Sequence, residues 1–215
     1  MYRGWDCMGR CISWAVQPRE MPMRRAAALF LALLTLAVLS AAPTLAAPAQ
    51  VAAPADADPC LADGGCRMVG QVPVVTGKGK VGTYPVNRPA PWIIQNNLMI
   101  FGGEIIVFRL DPADRFHRVS FVASGDEARS RTLQPGELRA TLQAGTEGTT
   151  LTMESAHAEW LNYVAVMATP DGKGQKTSVC TLIPGKFVIE HWPHGIIYLG
   201  LANFDAAPEG QAVCR

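Results

Sequence analysis

In ELRATLQA, residues 137–144, the apolar side chains Leu138, Ala140, Leu142 and Ala144 alternate with the polar side chains Glu137, Arg139, Thr141 and Gln143. A period of two sends successive side chains to opposite faces of an extended strand, so this segment has one apolar face and one wettable face. TTLTME (149–154) repeats the scheme with Leu151 and Met153 on the apolar side. VPVVT (72–76), GEIIVFRL (103–110), HRVSFVA (117–123), NYVAVMAT (162–169), KTSVCTLI (176–183) and GIIYLGLA (195–202) add the β-branched and aromatic content of strands. Turn chemistry separates them at short intervals, at Asn96-Asn97, Gly102-Gly103, Asp111-Pro112, Pro135-Gly136, Pro170-Asp171-Gly172 and Pro184-Gly185.

Short strands at this spacing predict an all-β fold, a two-sheet antiparallel β-sandwich, with a small β-barrel as the alternative. The only helical character is a turn at ESAHAEW (154–160), and Arg129 and Arg131 in EARSRT are expected to share one solvated strand face. The expected core is Ile106, Phe108, Val119, Phe121, Leu142, Val164, Val166, Ile197, Leu199 and Leu201. In strand count alone the chain resembles an immunoglobulin-like domain. The Cys…Trp…Cys spacing of an antibody domain is absent.

Ahead of the strands, residues 21–46 carry Arg24 and Arg25, an apolar run from Ala26 to Val38, and small residues up to Ala46. That order of charge, apolar stretch and small-residue cleavage zone is a secretory signal, and it predicts export to the periplasm or the medium. The first twenty residues lack both its charge and its apolar character, so residues 1–46 are read as a spurious extension plus a signal peptide. If the apolar run stays uncleaved it becomes a membrane anchor, at the short limit for spanning a bilayer. Residues 47–59 are rich in Ala, Pro and Asp without periodicity and are read as a disordered linker, leaving 60–215 as the sandwich domain.

Four cysteines remain past the leader: Cys60, Cys66, Cys180 and Cys214. An even count in an exported chain implies disulfides, and the pairing Cys60–Cys66 with Cys180–Cys214 is expected because Gly64 and Gly65 permit a tight first loop and the second bridge staples the tail. Past residue 46 the chain holds 14 Lys/Arg and 16 Asp/Glu. That near-neutral balance offers no basic footprint for nucleic acid.

Few segments look like chemistry. GKGKVG (77–82) fits G-x-G-x-x-G, but TYPVNRPAP follows where a nucleotide site needs a helix, so it is read as a flexible loop and no nucleotide is expected. His157-Ala158-Glu159 has the first half of a zinc-deaminase signature without the second. In IEHWPHG the histidines His191 and His194 bracket Trp192-Pro193, and only a turn, of the type that takes a cis proline, brings the two rings together. Glu190 is the third candidate ligand for zinc or copper there, with His117 and His157 the only other histidines to complete a set. The competing reading is a turn that launches the next strand. Trp92 and Trp192 flank expected loops and are candidates for stacking on a ligand. The leading expectation is a non-enzymatic exported binding or structural protein without a cofactor, engaging an envelope protein, peptide or glycan. A metal-binding protein or metal-dependent enzyme built on the histidine turn is the alternative.

Overall fold

The structure, a computed structural model, describes residues 58–77, 79–113 and 115–215. The expected leader, and the expected linker up to residue 57, lie outside those residues. Among them most of the expected strands form two five-stranded antiparallel sheets packed as a sandwich, and no barrel closes; VPVVT lies in a separate ribbon, and of KTSVCTLI only Lys176 and Thr177 belong to a strand. The first sheet has the order β10 (Gly174–Thr177), β9 (Leu161–Ala168), β12 (Tyr198–Ala206), β4 (Asn97–Phe101), β3 (Ile93–Ile94). The second has the order β11 (Phe187–Trp192), β8 (Gly148–Ser155), β7 (Glu137–Gly145), β5 (Ile105–Asp111), β6 (Arg118–Ser124). The apolar faces of both sheets meet in one core that includes Leu98, Leu199 and Leu201 from the first and Ile106, Phe108 and Leu142 from the second.

One strand takes the opposite register from that expected. Val164 and Val166 in β9 face outward, with Val166 42% exposed, and Tyr163, Ala165 and Met167 are the buried set. NYVAVMA is apolar on both faces, so its pattern alone cannot orient it. Pairing with β12 does, because Met167 stands opposite Leu199 and Ala165 opposite Leu201, whose side chains are fully buried. Directly opposed residues in an antiparallel pair lie on one face, and a one-residue slip would invert the whole strand.

The segment read as a flexible loop is the turn of a long ribbon, β1 (Cys66–Gly77) paired with β2 (Lys80–Pro91). Pro85, Pro89 and Pro91 are tolerated in β2 because it pairs only with β1 and its other edge needs no donors. The ribbon buries Val69, Val72, Val74 and Ala90 against Phe101 and Ile197, so Ile197 belongs to this second core. Contact is backbone to backbone at two glycines. A Cβ on Gly102 would lie 2.6 Å from the Pro73 carbonyl oxygen, and one on Gly195 would lie 2.3 Å from that of Val75. Arg67 anchors the ribbon base, donating to both carboxylate oxygens of Glu104 (2.8 and 2.6 Å) and to the carbonyls of Ala90, Pro91 and Met99.

The helical character also falls elsewhere than expected. Residues 156–160 form a loop, and the helices are α1 (Pro59–Ala62), capped by the Asp58 carboxylate on the Cys60 N–H, and α2 (Gly125–Ser130). Arg129 and Arg131 therefore share no strand. Arg129 pairs with Asp126 on the surface of α2, and Arg131 with Glu137. The disulfides are Cys60–Cys66 and Cys180–Cys214, as expected, the second joined by paired backbone hydrogen bonds between Val179 and Arg215.

Candidate functional site

Strand alternation separates the three residues of the histidine turn. On β11, Glu190 is buried, His191 is exposed and Trp192 is buried. His194 lies past the strand end, with Nε2 3.2 Å from the Met167 sulfur and its carbonyl accepting from the Thr149 hydroxyl at 2.8 Å. His191 Nδ1 sits 3.1 Å from the Thr150 hydroxyl. No cis peptide occurs among the described residues, so Pro193 does not make the turn that would converge the rings. Glu190, His191 and His194 do not form a cluster.

Glu190 is instead a buried acid of the core. Its Oε1 accepts from the Cys180 N–H at 2.6 Å, beside the Cys180–Cys214 bridge. Burial raises its proton affinity above the ordinary carboxylate value, against the opposing pull of that N–H. The buried Tyr163 hydroxyl approaches it without completing a well-formed hydrogen bond, and burial together with the nearby carboxyl pushes the phenol well above 10.

Neither indole is a free platform. Trp92 is buried, stacked on Phe121 at 4.2 Å between centroids, and carries the Arg67 guanidinium 4.1 Å from its ring centre. Trp192 is buried and its Nε1 donates to the Thr177 hydroxyl at 2.6 Å, tying β11 of one sheet to β10 of the other.

Two other groupings stand out. The first lies where the loops before β6 and after β8 meet. The His117 backbone N–H donates to the Phe204 carbonyl (2.8 Å) and its backbone carbonyl accepts from Asn96 Nδ2 (2.9 Å), which fixes the backbone from which the ring projects. His157 is held by its N–H on the Ser155 hydroxyl (3.2 Å), and its Nδ1 accepts from the Glu159 N–H (3.2 Å). The rings stand edge to face at 5.0 Å, and His117 Nε2 is 3.4 Å from Glu159 Oε2. Burial, then repulsion from His117, lowers the His157 proton affinity below the usual imidazole range. Among the described residues this is the one group of three His, Cys, Asp or Glu side chains whose ligand atoms lie within 4.8 Å of one another. The His-Ala-Glu spacing pointed to two of the three. His117, forty residues upstream in another loop, carried no local signal.

The second grouping is a cleft of about 360 Å³ between the ribbon and the first sheet, walled by Tyr84, Phe101 and Tyr198 with Pro85, Thr169 and Arg88. Phe101 and Tyr198 pack at 5.3 Å, and Tyr84 leans on the same apolar cluster. Arg88 is exposed, and among the described residues no carboxylate comes within ion-pair distance of it. A wider hollow of about 690 Å³ at the ribbon turn is lined largely by small residues with Glu147 and His194.

Fold and sites together define a disulfide-locked β-sandwich carrying a proline-rich ribbon, of a kind that fits an oxidising, extracytoplasmic compartment. Among the described residues no helix is long and apolar enough to cross a membrane. No protein-family model, no curated protein and no solved structure matches the chain.

Proposed function

We propose that the protein is an exported, non-enzymatic binding module that takes an acidic glycan in the cleft between ribbon and sheet. The observation that carries this reading is Arg88, a guanidinium with no acidic partner among the described residues, at the rim of a cleft walled by two tyrosines and a phenylalanine. Aromatic faces suit the apolar faces of sugar rings, and a guanidinium forms charge-assisted bonds with a carboxylate. A cleft of this size is in the range of small-ligand sites.

Two features favour a glycan over a peptide and binding over cleavage. A peptide adding to the free edge of β2 would find no backbone donors at Pro85, Pro89 and Pro91, so recognition falls to side chains. Glycoside hydrolysis ordinarily needs two carboxyl groups flanking the bond, and the cleft lining contains none. The leader-like segment at 21–46 and the two disulfides support the location.

Titration of the exported chain with uronic-acid oligosaccharides and their neutral counterparts, followed by tyrosine fluorescence, tests the reading. Acidic ligands should bind about tenfold more tightly, the worth of one charge-assisted contact. R88A should abolish that preference and Y198A should weaken both ligand classes. Equal binding of acidic and neutral sugars, or no binding of either, would overturn it.

A further inference from the structure

We propose that His117, His157 and Glu159 form a binding site for one divalent transition-metal ion of the zinc class. Imidazole nitrogens and a carboxylate oxygen are the ligand set that such ions take, and two histidines with one glutamate leave a further position open to solvent. The site is independent of the glycan cleft and shares no residue with it.

Distances carry the first part of the argument. Bonds of about 2.0–2.1 Å in tetrahedral array hold neighbouring ligand atoms about 3.3 Å apart. His117 Nε2 and Glu159 Oε2 already stand at 3.4 Å, and all three ligand atoms lie within 4.8 Å. The cluster therefore has to draw in by at most about 1.5 Å to reach that spacing. Glu159, whose side chain is 55% exposed, is the member able to move.

The second part is an unmet need. His117 is a buried residue, yet among the described residues its imidazole makes no hydrogen bond: Nδ1 has no partner there, and Nε2 faces the Glu159 carboxylate beyond hydrogen-bond geometry. Buried polar groups are rarely left so, and one that is calls for a missing ion or water. A metal on Nε2 replaces the misaligned Glu159 contact with a bond at that nitrogen, while Nδ1, the buried unpartnered atom, stays without a partner.

The same contacts bound the affinity. A metal on either nitrogen of His157 displaces the hydrogen bond from the Glu159 N–H, because Nδ1 is then ligated or protonated. Nδ1 of His117 has no carbonyl or carboxylate to hold it, and ligating histidines gain affinity from such an outer bond. Binding should accordingly be micromolar and reversible by chelators.

Zinc titration by calorimetry of the exported chain, purified without a histidine tag and stripped with chelator, tests the site. The expected result is one equivalent of zinc on the wild-type chain, at least about tenfold weaker binding in E159A, and no stoichiometric binding in H157Q. The H191A/H194A double variant should bind like wild type. E159A alters a largely exposed side chain, and thermal melts establish that each variant is folded. Absence of zinc binding, binding that survives both E159A and H157Q, or binding lost in H191A/H194A would overturn the proposal.

Discussion

Two glutamates of the second sheet are both removed from solvent, and they hold protons in opposite ways. Glu137 opens β7, fully covered by neighbours that include Arg109 and Arg131, each 2.9 Å away, and by the Gln134 N–H at 3.0 Å. The Arg131 hydrogen bonds chiefly hold its carboxyl at about 2, well below the usual carboxylate value. Glu190 on β11 has one backbone N–H and a nearby phenol, and burial raises its proton affinity instead. Depth alone does not decide ionisation. Glu137 is shielded by charged groups that themselves reach water, whereas Glu190 is shielded by Tyr163 and the segment around Cys180. The difference is between replacing water with cations and replacing it with a neutral wall.

The strongest way to break the contrast is to remove the wall. Replacing Cys180 and Cys214 with Ser releases a bridge spanning 34 residues and should cost about 4 kcal/mol by loop entropy, read from the urea midpoint. Solvent then reaches Glu190, and its titration, followed by NMR, should fall back toward the ordinary carboxylate value.

Next in size is E137Q. Breaking a covered ion pair by removing one charge should cost roughly 3 kcal/mol, the low end of such effects because the arginines touch solvent. The wild-type chain carries the matching pH signature. A depressed carboxyl contributes stability that is complete above its unfolded value of 4.5 and is lost as pH falls toward about 2. Denaturation curves at pH 6 and pH 3 should therefore differ less for E137Q than for the wild type.

E190Q should act in the other direction. A raised carboxyl favours the fold below pH 4.5 and loses that contribution as pH rises through its folded value. Glutamine still accepts from the Cys180 N–H and carries no charge to bury. Above neutral pH the variant should be more stable than wild type, on the order of 1 kcal/mol, with little difference at pH 4. Smallest is Y163F, which deletes a buried hydroxyl that lacks a well-formed partner. It should leave the melting temperature unchanged or raise it by the equivalent of about 0.5 kcal/mol.

The same divide between local and distant neighbours separates what was legible from what was not. β7 and β8 could be read directly, because a strand with one polar and one apolar face declares its orientation. β9 could not, since Val164 and Val166 compete with Ala165 and Met167 for the interior and the choice belongs to Leu199 and Leu201 across the sheet. The ribbon was half visible. VPVVT marked β1, but the prolines that make β2 a tolerable edge also remove the signs of a strand. At the candidate metal site, His157 and Glu159 stood together in the chain, whereas His117 reaches them only through the packing of two loops. Glu190 and His191 are adjacent, and that adjacency is what sends them to opposite sides of β11.

By itself, then, the order of residues determined an all-β chain with strands between Gly, Pro and Asn turns, and two cysteine pairs suited to disulfides, because these depend on neighbours a few positions away. Only tertiary structure decided which face of β9 is buried, where the ribbon lies, which glutamate binds its proton more tightly and which histidines meet. Each of those outcomes is set by atoms contributed from elsewhere in the fold, across a sheet register or between loops, where spacing along the chain carries no information.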